Sequence, residues 1–407
     1  MLSVQEIINS VEARLNRRKK NRAWLSFSYI FRQLASNLSF FYLPLFMFEQ
    51  AQQYFWWGWS LNNIQKGMIV IAAFYLTERL IGAVFSLIQA QFSIKIGHDW
   101  SMVLGTLAYA GFLACFAMAQ TSPWLIVIGA ILAGLQLVFY WPSYYTLITR
   151  LSYKNHMGRS LSGSVFLQNM AAMLSPAVGG MIVLFLGYDY LFYLSVIFLL
   201  VSLIGLFKLD LQMEQDEVSI KEYLSWMKEK SFVKLSVSQL GRYFYDASIT
   251  LWPLYVFLLM GDVQKVGYIY SLSILLAMIV GLLAGYSLDK KRKKTKKPFY
   301  FSGGFLSTLS ILRMVAGTVW GVIIVDACSR VVANFHWLYN DKILHIRGKG
   351  SQEFSYFVYY SFNRALGAIL FWSALLIFFL MVPIGWTGLF LMGAIGVLLS
   401  LMVQESR

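Results

Sequence analysis

The sequence predicts an all-α polytopic membrane protein, with twelve transmembrane helices in two pseudosymmetric bundles of six. Three observations carry that prediction. Hydrophobic residues make up 58% of the 407 residues and charged residues 13%, against about 45–50% and about 25% in a soluble globular protein. Apolar runs near the length needed to cross ~30 Å of hydrocarbon recur along the whole chain. Finally, the stretch SFSYIFRQLASNLSFFYLPLF at 26–46 returns as SVSQLGRYFYDASITLWPLYV at 236–256, with serines, arginine and proline in the same order. Such self-similarity marks two duplicated halves.

The elements follow in order. In residues 3–16, Val4, Ile7, Ile8, Val11 and Leu15 share one helical face, and Ser3 with Glu6 matches a capping box. This segment is expected to lie on lipid headgroups, as part of a basic amphipathic segment, 1–22. Arg14, Arg17, Arg18, Lys19, Lys20 and Arg22 then precede a span of full crossing length without a small-residue cleavage site, so the start does not read as a cleavable signal. Spans are expected near 24–47, 65–91, 101–119, 123–148, 161–186 and 188–207, forming a first bundle over 23–207. A polar linker at 208–231 carries the amphipathic stretch EVSIKEYLSWMKEK. The second bundle, 232–403, holds spans near 232–258, 264–288, 299–316, 318–339, 355–380 and 383–403, before a short tail at 404–407. Gaps at 120–122, 187 and 383–385 are short enough to force tight turns between antiparallel neighbours.

Lysines and arginines sort the loops. The N-terminal cluster, Lys95, Arg150, Lys154, Arg159, the run from Lys290 to Lys297, Lys342, Arg347, Lys349 and Arg407 all fall on one side, and only Lys66 and Lys265 on the other. By the positive-inside rule the basic side is cytoplasmic, with both termini there and the chain in the plasma (inner) membrane. The net charge of +15 thus faces anionic headgroups rather than nucleic acid. Cys115 and Cys328 fall within spans, so no disulfide framework is expected. The four histidines show no metal-ligand spacing, there is no GxxxxGK[ST] phosphate loop, and no Ser/His/Asp or Cys/His set assembles. Neither an enzyme nor a cofactor or metal is expected. Trp56, Trp57 and Trp59 suit an interfacial belt.

Six spans, a polar cytoplasmic linker and six further spans resemble the major facilitator superfamily over nearly the whole chain. That family carries, between spans 2 and 3 and again between spans 8 and 9, a loop of glycine, three residues, aspartate and basic residues. Gly285-Tyr-Ser-Leu-Asp289-Lys290-Lys-Arg292 resembles it, with Arg292 in place of the internal glycine. The first-half copy keeps Lys95 and Gly97 but has Ile94 where the aspartate belongs. In the family's antiporter branch, span 5 carries a glycine run. Here Ser162, Ala171 and Ser175 stand at glycine places, ahead of Pro176, Gly179 and Gly180. The resemblance makes Asp289, Lys290, Pro176, Gly179 and Gly180 gating positions, inclines the expected direction towards antiport or efflux, and pairs span 5 with Gly281 and Gly285 of span 8.

The resemblance also places spans 1, 4, 7 and 10 around a central cavity, and these carry polar stripes at steps of three and four. They are Tyr29, Arg32, Ser36 and Ser39; Gln136, Tyr140 and Ser143; Gln239, Arg242, Asp246 and Thr250; and Asp326, Arg330, Asn334 and Trp337. An ionised side chain at mid-membrane costs at least ~2.5–3.5 kcal/mol, so these stripes look inward. Expected to contact solute are Arg32, Gln136, Tyr140, Trp141, Gln239, Arg242, Arg330, Asn334 and Trp337. Arg242 with Asp246, and Asp326 with Arg330, form i,i+4 pairs, whereas Arg32 has no acid in its own span. Arg32 and Arg242 resemble the arginine pair of the organophosphate antiporter branch, and planar guanidinium groups suit bidentate phosphate or carboxylate. Asp246, Asp326 and Glu78 are proton-coupling candidates, since burial and a neighbouring arginine pull a carboxyl in opposite directions. Glu78 is expected to bridge to Arg364. The leading expectation is a monomeric secondary transporter of a small organic solute, coupled to protons. A lipid flippase or scramblase of the same fold and a transport-silent scaffold stay open as alternatives.

Overall fold

A computed structural model describes residues 4–54, 56, 58, 60–151, 172–210, 218–288, 297–349, 352–381 and 384–403. Among these residues the chain is all helical. The helices are α1 (Val4–Gln53), α2 (Asn63–Ile96), α3 (His98–Ala117), α4 (Trp124–Leu151), α5 (Ala172–Phe185), α6 (Tyr188–Phe207), α7 (Ile220–Trp226), α8 (Lys230–Met260), α9 (Val263–Leu288), α10 (Lys297–Leu312), α11 (Val319–Gly348), α12 (Glu353–Leu380) and α13 (Gly385–Ser400). Seven of them, α2, α3, α4, α6, α8, α11 and α12, are long and apolar enough to cross a membrane; α5, part of α9, and α13 are shorter and apolar. Large apolar side chains such as Ile88, Ile197 and Leu370 point outward. Lipid tolerates such a surface and water does not.

The turns are set by backbone chemistry. Gly97 and Gly187 open α3 and α6 with positive φ, and Gly261 closes α8 in the left-handed region, where a Cβ would strain the chain. Asn62 and Gln65 cap α2 reciprocally. The short helix α7 starts at Ser219, whose hydroxyl accepts from the Glu222 amide, and is pinned by Tyr359, whose hydroxyl donates to the Glu222 carboxylate over 2.5 Å.

Two differences from the sequence expectation matter. Residues 4–16 do not form a separate interfacial helix; they continue α1, a 50-residue helix with a length of ~75 Å at 1.5 Å per residue. Between 4 and 43 the sequence offers neither glycine nor proline to turn the axis. Arg18 fixes this extension by donating to the carbonyls of Arg150 (2.7 Å) and Leu151 (3.1 Å) at the C-terminal end of α4, where a cation also meets the negative end of the helix dipole. The second difference is α11, which runs past its expected end at 339 to Gly348.

Helices α1 to α6 pack on one another chiefly through α3 with α4 and α6, α1 with α6, and α2 with α4. The second set packs through α8 with α13 and α12, α10 with α13, and α11 with α9. The two sets meet along α2 and α12, α4 and α12, and α1 and α8. Helix α5 reaches α9 as well. Its Ala177 amide donates to Ser271 (3.0 Å), and a Cβ on Gly267 would sit 2.5 Å from the Pro176 carbonyl oxygen. Gly267 is therefore the small residue that the described structure sets against α5. Close helix approach through small residues is the usual packing device in lipid, where apolar burial alone does not drive helices together.

Helix α2 approaches α4 in the same way. A Cβ on Gly134 would lie 2.6 Å from the Glu78 carbonyl oxygen and 2.7 Å from the Ile81 side chain. Gly134→Leu should push α4 off α2 and destabilise the fold by about 1–3 kcal/mol, the usual cost of overpacking. Thermal unfolding in detergent reads this, and a midpoint equal to wild type would mean that the two helices are free to separate.

Candidate functional site

A central cavity of about 510 Å³ opens between the two sets of helices. Its described wall carries Arg32, Arg79, Arg242 and Arg364 against Glu78, Asp246 and Asp341. Four arginines thus face three carboxylates, and the geometry decides which arginine is left over.

Arg32 is the one. It projects from α1 and is 2% exposed. Its Nη2 donates to the Gln136 side-chain oxygen, and its Nη1 reaches Thr106 at 3.5 Å. The guanidinium lies 3.6 Å from the centroid of the Tyr140 ring and 4.8 Å from that of Tyr109. Among the described residues no carboxylate pairs with it. Tyrosine faces attract a cation by about 2 kcal/mol or more when desolvated, which holds the group without cancelling its charge. Tyr144 extends the aromatic wall by stacking on Tyr29 at 4.9 Å and on Tyr140 at 5.6 Å.

The other three arginines are matched. Arg242 of α8 presents its Nη1 and Nη2 to the two carboxylate oxygens of Asp341 on α11, the second at 3.4 Å. Asp246, one turn along α8, stands 3.9 Å from the Arg242 Nε and is bound by Arg364 of α12 at 2.5 Å. Arg79 sits 3.4 Å from Glu78 but without hydrogen-bond geometry, since successive residues on a helix do not face each other. Arg79 instead lies over the Tyr243 ring at 4.8 Å, and the Tyr243 hydroxyl accepts from the Trp372 indole at 2.7 Å.

Contacts between the two sets of helices cross both ends of the cavity. On the basic side Arg150 pairs with Glu353 at 2.8 Å, Thr149 bonds His345 at 2.7 Å, and His98 packs on Phe354. On the opposite side Tyr75 of α2 stacks on Trp372 of α12, 4.4 Å apart and nearly parallel. Further out, Phe41 meets Tyr270 edge-on at 4.6 Å.

Of the residues expected around this cavity, Arg32, Gln136, Trp141, Arg242, Asp246, Glu78 and Arg364 line it, and Tyr140 stacks against Arg32 from behind. Five others do not reach it, Asp326 among them. Gln239 is buried and donates to Asn340 at 2.8 Å. Trp337 packs against Tyr245 and carries the Arg242 guanidinium over its ring at 5.1 Å. Arg330 and Asn334 line a separate cavity of about 220 Å³ with Asp326 and Arg313. The expected Glu78–Arg364 bridge is not formed: Arg364 reaches Asp246, which offers an open carboxylate, while Glu78 stays beside Arg79. The i,i+4 pair of Arg242 with Asp246 is present at 3.9 Å through Nε, but Asp341 takes the planar fork because it can accept both parallel N–H groups. Pro176, Gly179 and Gly180 sit where α5 packs on α1 and α9, with the Tyr42 hydroxyl donating to the Pro176 carbonyl. Asp289 and Lys290 lie outside the described residues, and so do Ser162 and Ala171.

Asp341 is the residue that sequence reasoning missed. The stripe Asp326, Arg330, Asn334, Trp337 continues to it by one further step of four, but it lies beyond the expected end of the span at 339. Tyr75, Trp372 and Tyr243 carry no polar periodicity to single them out.

A sequence model of the Major Facilitator Superfamily matches residues 25–370. Among solved structures, the chain is similar to a Major Facilitator Superfamily transporter, FucP, in the outward conformation, with a TM-score of 0.67 and 15% identity over 95% of this chain and 98% of that one. It is also similar to a single-substitution variant of FucP, the E. coli fucose:proton symporter, with a TM-score of 0.62 and 16% identity over the same shares. No curated protein matches the chain in sequence.

The Arg242–Asp341 pair is open to a direct test, since its side chains are 18% and 27% exposed. Asp341→Asn should cost about 2 kcal/mol of stability, below the 3–5 of a fully buried pair. Adding Arg242→Gln should recover part of that loss, because the orphaned charge goes with it. A double-mutant cycle on unfolding midpoints measures the coupling, and strictly additive losses would show the two groups to be independent.

Proposed function

The chain belongs to the Major Facilitator Superfamily, and from that premise we propose a secondary transporter that moves a small organic anion by alternating access, coupled to protons. The proposed architecture has twelve spans in two six-helix bundles, 23–207 and 232–403. Both termini would sit on the cytoplasmic face of the plasma (inner) membrane. The observation that carries the substrate class is Arg32, a buried guanidinium on the cavity wall with no carboxylate partner among the described residues. A solute carboxylate or phosphate would supply the missing charge, and the guanidinium plane suits two parallel hydrogen bonds. Tyr29, Tyr144 and Trp141 flank the same wall and offer ring faces to the apolar part of a solute.

Arg242 supports a different role. Its planar fork is already given to Asp341, so its contribution to an incoming anion is mainly long-range charge. Asp246 is the coupling group this arrangement favours. It lines the central cavity, it is 36% exposed there, and it is held by arginines from two helices of the second set. Movement of α12 relative to α8 would change how strongly Arg364 holds it, and so link this carboxylate to alternating access. The proposed direction is antiport or efflux, which rests on the small-residue run leading to Pro176, Gly179 and Gly180.

Solutes bearing carboxylate or phosphate groups can be screened by thermal shift, since ligands of the folded state stabilise it. With an identified solute, Arg32→Lys keeps the charge but loses the fork, and should weaken affinity by about 1–3 kcal/mol, the scale of a charge-assisted hydrogen bond. Arg242→Lys should weaken it less. Equal, negligible effects would remove the anion clamp. In proteoliposomes with an imposed pH gradient, Asp246→Asn should abolish accumulation while sparing solute exchange, because exchange needs only the loaded carrier to alternate. Accumulation at the wild-type level would take Asp246 out of the coupling step.

A further inference from the structure

The geometry points to a second ligand site, for a small monovalent inorganic anion such as chloride, in the cavity of about 220 Å³ between α8, α9 and α11. Two arginines and one carboxylate face each other there. Arg313, in the short 3₁₀ turn after α10, is 1% exposed and stands 3.9 Å from Asp326. Arg330 gives its Nε to the same carboxylate at 2.6 Å and keeps a side chain that is 27% exposed. Asp246 also borders this cavity, but its charge is engaged by Arg364 and Arg242. One positive charge therefore remains over.

The hydrogen-bond inventory points the same way. The Nε and Nη1 of Arg313 are buried without a partner. Beneath that guanidinium, 5.3 Å away and off the cavity wall, lies the ring of Trp252. Arginine nitrogens are donors only, so what Arg313 lacks is an acceptor. A buried unpaired charge is far too costly to persist unanswered. Most of the remaining wall, Ile249, Ile274, Ala277 and Met278, is apolar and disfavours a strongly hydrated or divalent ion. A divalent anion would also overshoot the single excess charge. The site does not depend on what the central cavity carries; Asp246 stands on the wall of both.

The test titrates purified full-length protein with sodium chloride against sodium gluconate at fixed ionic strength, following thermal midpoint and tryptophan emission. Chloride should raise the midpoint saturably and gluconate should not. Arg330→Gln leaves Asp326 with Arg313, a neutral pair that should still fold, and should raise the half-saturating chloride about tenfold, the worth of one charge-assisted hydrogen bond. Asp326→Asn removes the competing carboxylate and should lower it by a similar factor. A variant that folds only when chloride is present would report the same thing. Bromide soaked into crystals should give an anomalous peak against Arg313. Identical midpoints in chloride and gluconate would mean that water alone serves these donors, and would overturn the site. So would a half-saturation that moves with Arg32→Lys but not with Arg330→Gln, which would place the anion in the central cavity. If Asp326→Asn stays unfolded even in chloride, bromide density and Arg330→Gln decide the matter.

Discussion

Everything at the centre of this molecule is arranged around the cost of holding arginines away from water. Arg32, Arg79, Arg242, Arg313, Arg330 and Arg364 all project into the interior between the helices. A charge placed at that depth needs a carboxylate, a hydrogen-bonded neutral partner or an aromatic face, and the chain uses all three. The carboxylates come from helices distant in sequence: Asp341 serves Arg242, and Asp246 serves Arg364. These pairings tie α8 to both α11 and α12, so the second set of helices is held together through its polar centre as well as its apolar packing. The first set works differently. Arg79 keeps Glu78 at 3.4 Å, but Arg32 is held by Gln136, Thr106, Tyr140 and Tyr109, all neutral. The repeat that joins Arg32 to Arg242 in sequence has diverged in how each half accommodates its charge.

That divergence separates two jobs. A matched arginine is a strut, and replacing its partner exposes the whole desolvation cost. On the proposed reading, an unmatched arginine on a cavity wall is held ready for an incoming anion. The aromatic stack at Tyr75 and Trp372 and the polar set at Arg150, Glu353, Thr149 and His345 then span the cavity at opposite ends. The first is apolar and flat, the second directional. Parting the first costs contact area. Parting the second strands hydrogen-bonding groups, which is cheap only where water can enter to replace the lost partners.

Much of this was legible in the sequence because lipid imposes a simple grammar. Apolar length marked α2, α3, α4, α6, α8 and α12 to within a few residues, and polar periodicity picked out Arg32, Gln136, Arg242 and Asp246 as cavity-facing. The failures have physical causes. An amphipathic pattern at 3–16 reads the same whether the helix lies on the headgroups or continues a span; what settles it is the missing helix breaker before Pro44 and the hold of Arg18 on α4. Asp341 was hidden because a charged Asn-Asp-Lys run looks like the end of a span, while the helix continues through it. Arg330 and Asn334 share a face with Asp326, but a helical face can be divided between two cavities, and periodicity does not say where the wall falls. Nor does spacing say which of two acids an arginine will choose. Asp246 sat at the right step for Arg242, yet Asp341 could take both N–H groups at once.

The unmatched guanidinium of Arg32 has an electrical consequence. Charge moved across a membrane exchanges about 2.3 kcal/mol per elementary charge per 100 mV with the field. On the proposed reading, a cavity carrying one surplus positive charge returns across the bilayer as a cation when vacant and as a neutral body when loaded with a monovalent anion. The voltage would then act on the vacant return stroke and leave the loaded stroke nearly untouched. The resting potential would bias which face the vacant carrier presents, favouring the electrically negative side before any solute arrives.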